Sequence, residues 1–183
     1  MDELWQLYNE QGQALADEGA SIDDVFSKGL LHGASHVWIW RENNGTLEVL
    51  LQKRAADKKT WPSRYVISAA GHIDLGETPL GAALREAKEE IGLDIKDSEL
   101  KLFNVHRAYL EAENGAIENE FQWLYSLKLT SETDFTLQAS EVELLVWVSI
   151  DQFKTECGSE QYVPHGEFYY DAVVAAILDA SQA

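Results

Sequence analysis

A chain of 183 residues can hold one domain with a core of its own, or one domain and a short extension. Hydrophobic residues make up 45% and charged residues 25%, an ordinary globular mix, while 32 acidic against 14 basic residues leave a formal charge of -18. So negative a surface argues against a nucleic acid polymer or an anionic membrane as partner, since both call for basic patches, and it suits a protein that gathers divalent cations.

Cys157 is the single cysteine, so no internal disulfide forms and a reducing compartment is expected. No apolar run approaches ~18 residues, so no membrane span is predicted. Met1-Asp2-Glu3-Leu4 lacks the basic and apolar regions of a secretory signal, and a cytoplasmic location is the expectation.

Residues 1–30 read as an N-terminal extension. Leu4 to Tyr8 is a short apolar-rich run, Asn9-Glu10-Gln11-Gly12 a turn, and Gln13 to Asp17 a returning strand. That hairpin is a candidate element for pairing two copies into a homodimer. Ser21-Ile22-Asp23-Asp24 caps a short helix ending near Gly29. Residues 31–183 then read as one domain. Val37, Trp38, Ile39 and Trp40 have strand composition, Asn43-Asn44-Gly45 is a turn, and Leu47 to Gln52 is the returning strand of a hairpin. Pro62 stops any central strand, and one resumes from Tyr65 to Ala70. A helix is predicted over 79–91, with Thr78 as N-cap, Pro79 in the first turn and Gly92 as its stop. Its apolar face is Leu80, Ala83, Leu84, Ala87 and Ile91. Lys101 to Leu110, Phe121 to Leu129 and Val142 to Val148 are predicted strands, and Phe168 to Leu178 a helix, which leaves Cys157 in a loop. Strands on both sides of a helix, with another helix at the end, make an α/β fold whose mixed β-sheet is covered on both faces.

Glu86, Glu89 and Glu90 lie at i, i+3 and i+4, on one face of the predicted helix. Two of them repel, and all three sit at the end of the helix whose dipole favours cations. A divalent cation would remove both penalties, and oxygen-only ligands favour Mg²⁺ or Mn²⁺. The plain alternative is a solvated acidic face. The flanking residues favour the cation. Gly71 and Gly76 bracket a loop whose carbonyls can approach an ion, and Glu77 and Arg85 can pair to tie that loop to the helix.

The stretch resembles the Nudix box, G-x5-E-x7-R-E-U-x-E-E-x-G-U, with U a bulky apolar residue. Gly71, Glu77, Arg85, Glu86, Glu89, Glu90, Gly92 and Leu93 fall on its defined positions, and Ala87 is smaller than usual at the first U. The resemblance implies an α/β/α sandwich that hydrolyses a nucleoside diphosphate linked to another group. It makes Glu86, Glu89 and Glu90, with the Gly71 carbonyl, the metal ligands. It gives Arg85 and Glu77 the task of orienting them.

A wider stretch, about 30 to 150, resembles the isopentenyl diphosphate isomerase branch of the same superfamily. The matching pieces are Leu31-His32-Gly33-Ala34, Lys53-Arg54-Ala55, Lys58-Lys59-Thr60-Trp61-Pro62, Ala70-Gly71-His72 and Ile117-Glu118-Asn119-Glu120. The resemblance puts a catalytic cysteine where this chain has Ala70. It makes His32 and His72 metal ligands, although in a hydrolase they would touch substrate instead, and a structural role is the alternative. It gives Arg54 and Lys58 a grip on the diphosphate, within a local cluster of Lys53, Arg54, Lys58, Lys59 and Arg64. Glu118 and Glu120 share one face of a strand, as substrate or metal contacts or as solvated residues. Trp61 and Tyr65 either stack on a base or pack. His36, His106 and His165 match nothing.

The expected activity is thus that of an isomerase-like Nudix hydrolase acting on a small-molecule diphosphate. Glu90, Glu89 or Glu120 serves as general base, with Arg85 beside them. An isomerase and a non-catalytic nucleotide sensor are the other classes. Substrate choice is expected in the loops around 42–46, 110–118 and 131–141.

Overall fold

The computed structural model describes residues 4–130 and 132–182. The readings of Met1 to Glu3 and of Ser131 lie outside the described residues. The hairpin of the extension is present as β1 (Trp5–Tyr8) and β2 (Ala14–Ala20). The short helix α1 (Ile22–Lys28) follows, capped by the Ser21 side chain and stopped by Gly29 in the left-handed region.

The next hairpin is longer than its apolar run. β3 is His32–Asn43 and β4 is Thr46–Arg54, joined through Asn44-Gly45, both at positive φ. The strand expected from Tyr65 to Ala70 is broken in two, β5 (Tyr65–Val66) and β6 (Ala69–His72). The cause is a splay between β3 and β4, whose pairing ends at Trp40 and Val49. Beyond it, β5 pairs with β4 and β6 with β3, antiparallel. Ser68 spans the gap, donating to the Leu50 carbonyl at 2.6 Å and accepting from the Ile39 amide at 2.9 Å.

Helix α2 (Pro79–Ile91) has the predicted ends. The Thr78 hydroxyl accepts from the Gly81 amide at 3.0 Å, and Gly92 closes it at φ 72. β7 (Lys101–Glu111), β8 (Ile117–Leu129) and β9 (Val142–Ser149) follow. β8 starts four residues earlier than its apolar run, so Glu118 and Glu120 lie within the strand. β3 and β8 run parallel from His32–Glu120 to Arg41–Leu129, and the other pairings are antiparallel. Helix α3 (Ile150–Glu156) occupies sequence read as loop, with Cys157 at its C-cap, and α4 (Glu167–Ser181) ends the described chain.

The mixed sheet is covered on both faces because β3 alternates two apolar sets. Val37 and Ile39 pack with Ala83, Ala87 and Ile91 of α2. Trp38 and Trp40 pack with Phe153 of α3 and with Tyr169 and Val173 of α4. Small Ala83 and Ala87 keep α2 close to the sheet, which accounts for alanine at a position expected to be bulky. Among the described residues no helix is long and apolar enough to cross a membrane.

Candidate active site

The box is assembled where β6 crosses α2. Glu90 is only 4% exposed, and its Oε2 accepts from the Ala70 amide at 2.9 Å. The Glu86 carboxylate lies against Gly71. A Cβ built at Gly71 would stand 2.1 Å from the Glu86 Cδ, so no side chain fits there. Arg85 is the hub. Its guanidinium donates to both oxygens of Glu77 at 3.1 and 2.9 Å, to Glu86 at 2.6 Å, to Glu89 at 3.3 Å and to the His72 carbonyl at 2.9 Å. The expected tie between Glu77 and Arg85 is therefore made, and the arginine holds two more box glutamates with it.

Burial, aided by repulsion from Glu86, pushes the Glu90 carboxyl up to about 8. Glu86 is raised to about 7, also by burial, even with Arg85 beside it. Glu89 is the exposed member, with 54% of its side chain in solvent.

A second acidic locus is built from three strands. His32 of β3, His72 of β6 and Glu120 of β8 offer ligand atoms within 4.8 Å of one another, the only such group among the described residues. The ligand atoms of the helix triplet do not stand this close together. Arg85 binds Glu86 and Glu89, and the Ala70 amide binds Glu90. Glu120 Oε1 stands 3.2 Å from His32 Nε2 and 3.4 Å from His72 Nε2. His32 Nδ1 lies 2.9 Å from the Leu30 carbonyl, which can only accept, so the Nδ1 proton is fixed. Its Nε2 then faces the carboxylate either with a second proton or with a lone pair free for a cation. Burial opposes the charge on Glu120, but the two imidazoles outweigh it and hold the carboxyl well below the usual range. Glu118 moves the other way, raised by burial and by repulsion from Glu120, while the Trp61 indole donates to both its oxygens at 3.2 and 3.3 Å.

A cavity of about 470 Å³ joins these parts, lined by Gly71, His72, Arg85, Glu86, Glu89 and Glu90 together with Arg54 and Lys58. Of the local basic cluster, Arg54, Lys58 and Lys59 reach this cavity, whereas Lys53 pairs with Glu143 and Arg64 with the Tyr162 carbonyl. Lys58 pairs with Glu141, at the end of the 131–141 loop. No signal in the sequence marked Trp5, Ile22 and Phe26 of the extension as cavity walls. Trp5 stacks on His72 with ring centroids 3.5 Å apart. Gln138, Ser140 and Glu141 bring one expected specificity loop to the cavity, while 42–46 is absent from its lining. Trp61 binds Glu118 through its indole N–H and also packs on the core.

The family model described as NUDIX domain matches residues 30–166. A Listeria innocua protein named as an uncharacterized Nudix hydrolase is 32% identical, with 89% of each chain covered. Nudix hydrolase 3 of Arabidopsis thaliana is 36% identical over 78% of this chain, which spans only 19% of that relative's length. The isopentenyl-diphosphate Delta-isomerase of Corynebacterium diphtheriae is 37% identical over 64% of this chain and 63% of its own. Among solved structures, a Deinococcus radiodurans protein shares the fold at TM-score 0.69 and 15% identity, covering 97% of this chain and 98% of its own. The NUDIX domain of Shewanella oneidensis NrtR, complexed with ADP ribose, matches at TM-score 0.58 and 14% identity, covering 82% of this chain and 86% of its own.

Proposed function

The chain belongs to the Nudix family, with isopentenyl diphosphate isomerases among its relatives, and from that membership we propose that it hydrolyses a phosphoanhydride bond in a nucleoside diphosphate-linked or related small-molecule diphosphate, using Mg²⁺ or Mn²⁺. The observation that carries this reading is the 470 Å³ cavity, which has the three box glutamates and the cations Arg54 and Lys58 in its walls.

Glu86, Glu89 and Glu90, with the Gly71 carbonyl, would hold the cation, an all-oxygen set suited to a hard ion. The residues fit that role: Glu86 and Glu90 converge on the Ala70–Gly71 backbone, and at Gly71 no Cβ stands between the Glu86 carboxylate and that strand. Bound there, the cation offsets charge on the phosphate oxygens and acidifies a nearby water. Arg54 and Lys58 grip phosphate oxygens. Arg85 and Glu77 keep the ligand carboxylates in place. Glu90 or Glu89 takes the proton of the attacking water, with Glu120, held ionised by two imidazoles, as the alternative acceptor. The water oxygen bonds to one phosphorus, the bridging P–O bond breaks, and the bridging oxygen leaves with the departing phosphate. The likeness to an isomerase and the His32–His72–Glu120 cluster favour a second reading, alkene isomerisation. Ala70 weighs against it, because a methyl group has no proton to give where the resemblance calls for a cysteine thiol.

The test is chromatographic detection of the cleavage products, nucleoside monophosphate and phosphorylated leaving group, with Mg²⁺ or Mn²⁺, from nucleoside di- and triphosphates, dinucleotide polyphosphates, sugar nucleotides and prenyl diphosphates. Glu90→Gln keeps an acceptor for the Ala70 amide and should cut turnover at least about 10²-fold with the fold intact. Near-normal hydrolysis by that variant would remove Glu90 from the reaction. A wild-type protein inert toward the whole panel overturns the reading.

A further inference from the structure

A smaller cavity of about 80 Å³ adjoins the larger one, with Arg54, Thr60, Ala70, Gly71 and His72 in the walls of both. Its other polar walls include His36, His165, Glu118 and Glu120. His165 is the residue that needs explaining. Both its ring nitrogens are buried and neither has a hydrogen-bond partner, while its ring stacks on Tyr169 with centroids 4.4 Å apart. Buried polar atoms left in that state are costly, so such a ring points to a missing ligand group.

His36, on the same cavity, has a defined tautomer. The Tyr169 hydroxyl accepts from the Trp38 indole at 3.2 Å and stands 2.7 Å from His36 Nδ1. With no other acceptor shown for it, the phenol donates to Nδ1 and the His36 proton sits on Nε2. Burial holds both imidazoles neutral, His36 down to about 4 and His165 well below its ordinary value. Each ring therefore carries one donor and one acceptor.

That pairing selects the occupant. An anionic group would face Glu118 and Glu120, with Arg54 as the single Lys or Arg in the walls. An ammonium group only donates, and it would leave the imidazole N–H without an acceptor. An alkyl group would leave both His165 nitrogens unsatisfied. A hydroxyl both donates and accepts. On the same measure the space is about a sixth of the larger cavity, so its occupant is a short group with its hydroxyls. We infer that the small cavity is a subsite for the hydroxylated end of the substrate, a short polyol esterified to the diphosphate held in the larger cavity. The inference rests on the larger cavity being the diphosphate site.

Two measurements on the full chain test it. The first compares Mg²⁺-dependent hydrolysis of ADP esterified on its terminal phosphate with glycerol or with n-propanol. The wild type should prefer the glyceryl ester in kcat/KM by at least about tenfold, because a site built for a hydroxyl rejects its deoxy analogue. His165→Phe should bring the ratio toward one, and His165→Gln, which keeps a donor and an acceptor, should retain most of the preference. The second needs no turnover. Imidazole ¹⁵N signals of His165 should move on adding glycerol 1-phosphate and stay in place with propyl phosphate. Equal use of the two esters, or His165 signals indifferent to glycerol 1-phosphate, overturns the subsite. A protein that shows the His165 shift but is inert toward both esters and the whole panel keeps the subsite and loses the hydrolase reading.

Discussion

Helix α2 and the strand cluster each bury a glutamate to the same extent, and the two behave oppositely. Glu90 and Glu120 are both 4% exposed. Glu90 has one amide donor and a glutamate neighbour, and its carboxyl is pushed up to about 8. Glu120 faces His32 and His72 and accepts from Gln122 at 2.9 Å, and its carboxyl is held well below the ordinary range. Burial alone therefore does not decide whether a carboxylate is charged; the neighbours do. Glu90 has an amide N–H where Glu120 has two imidazoles.

The largest expected effect breaks the helix side of this contrast. Arg85→Ala removes the group that holds Glu77, Glu86 and Glu89 together. It should lower activity or cation affinity by about 10²-fold, the upper range for losing an orienting partner. Calorimetric titration with Mn²⁺ alongside the hydrolysis assay checks it, and unchanged affinity would separate the arginine from the cation site.

The next effect is one of sign. In metal-free protein Glu120→Gln should cost about 2 kcal/mol, by removing a charged acceptor from two imidazoles. Glu90→Gln should do the reverse above its pKa. The folded state binds the Glu90 proton more tightly than the unfolded chain between about pH 4.5 and 8. Stability from this group is thus complete below about 4.5 and drains as pH rises through 8. Metal-free wild type should lose stability from pH 5 to 9, on the order of a few kcal/mol, with Tm falling alongside, and Glu90→Gln should flatten that loss. Thermal melts of both variants across this range decide the matter; a shared sign would erase the contrast.

The smallest effect concerns a charge felt by both regions. Lys58 lines the cavity with the box glutamates and also disfavours protonation of His72. Its pairing with Glu141 is partly exposed, so Lys58→Gln should shift stability by less than about 1 kcal/mol. KM should rise up to about tenfold with kcat nearly unchanged, the pattern of lost uniform binding. Steady-state kinetics on the best substrate of the panel reads it.

The local elements were legible. The caps Thr78 and Gly92, the i, i+3, i+4 glutamates and the Glu77–Arg85 tie all lie within one loop and one helix, where spacing alone sets which side chains share a face. The break between β5 and β6 was not legible, because it answers a splay between β3 and β4 that no residue in 65–72 announces. Nor was α3, a short helix whose register is set by burying Ile150 and Phe153 under α4.

By itself the sequence determined the box, its carboxylates and their chemical preference for a hard cation, since these follow from residue type and helical period. Only the tertiary structure decided which of those carboxylates is buried, that His32, His72 and Glu120 meet, and that Trp5 from the extension caps His72. It also gave His165 its two unanswered nitrogens. The physical reason is range: spacing along one helix is fixed by backbone geometry, whereas contact between residues about ninety positions apart exists only once the parallel pairing of β3 with β8 has formed.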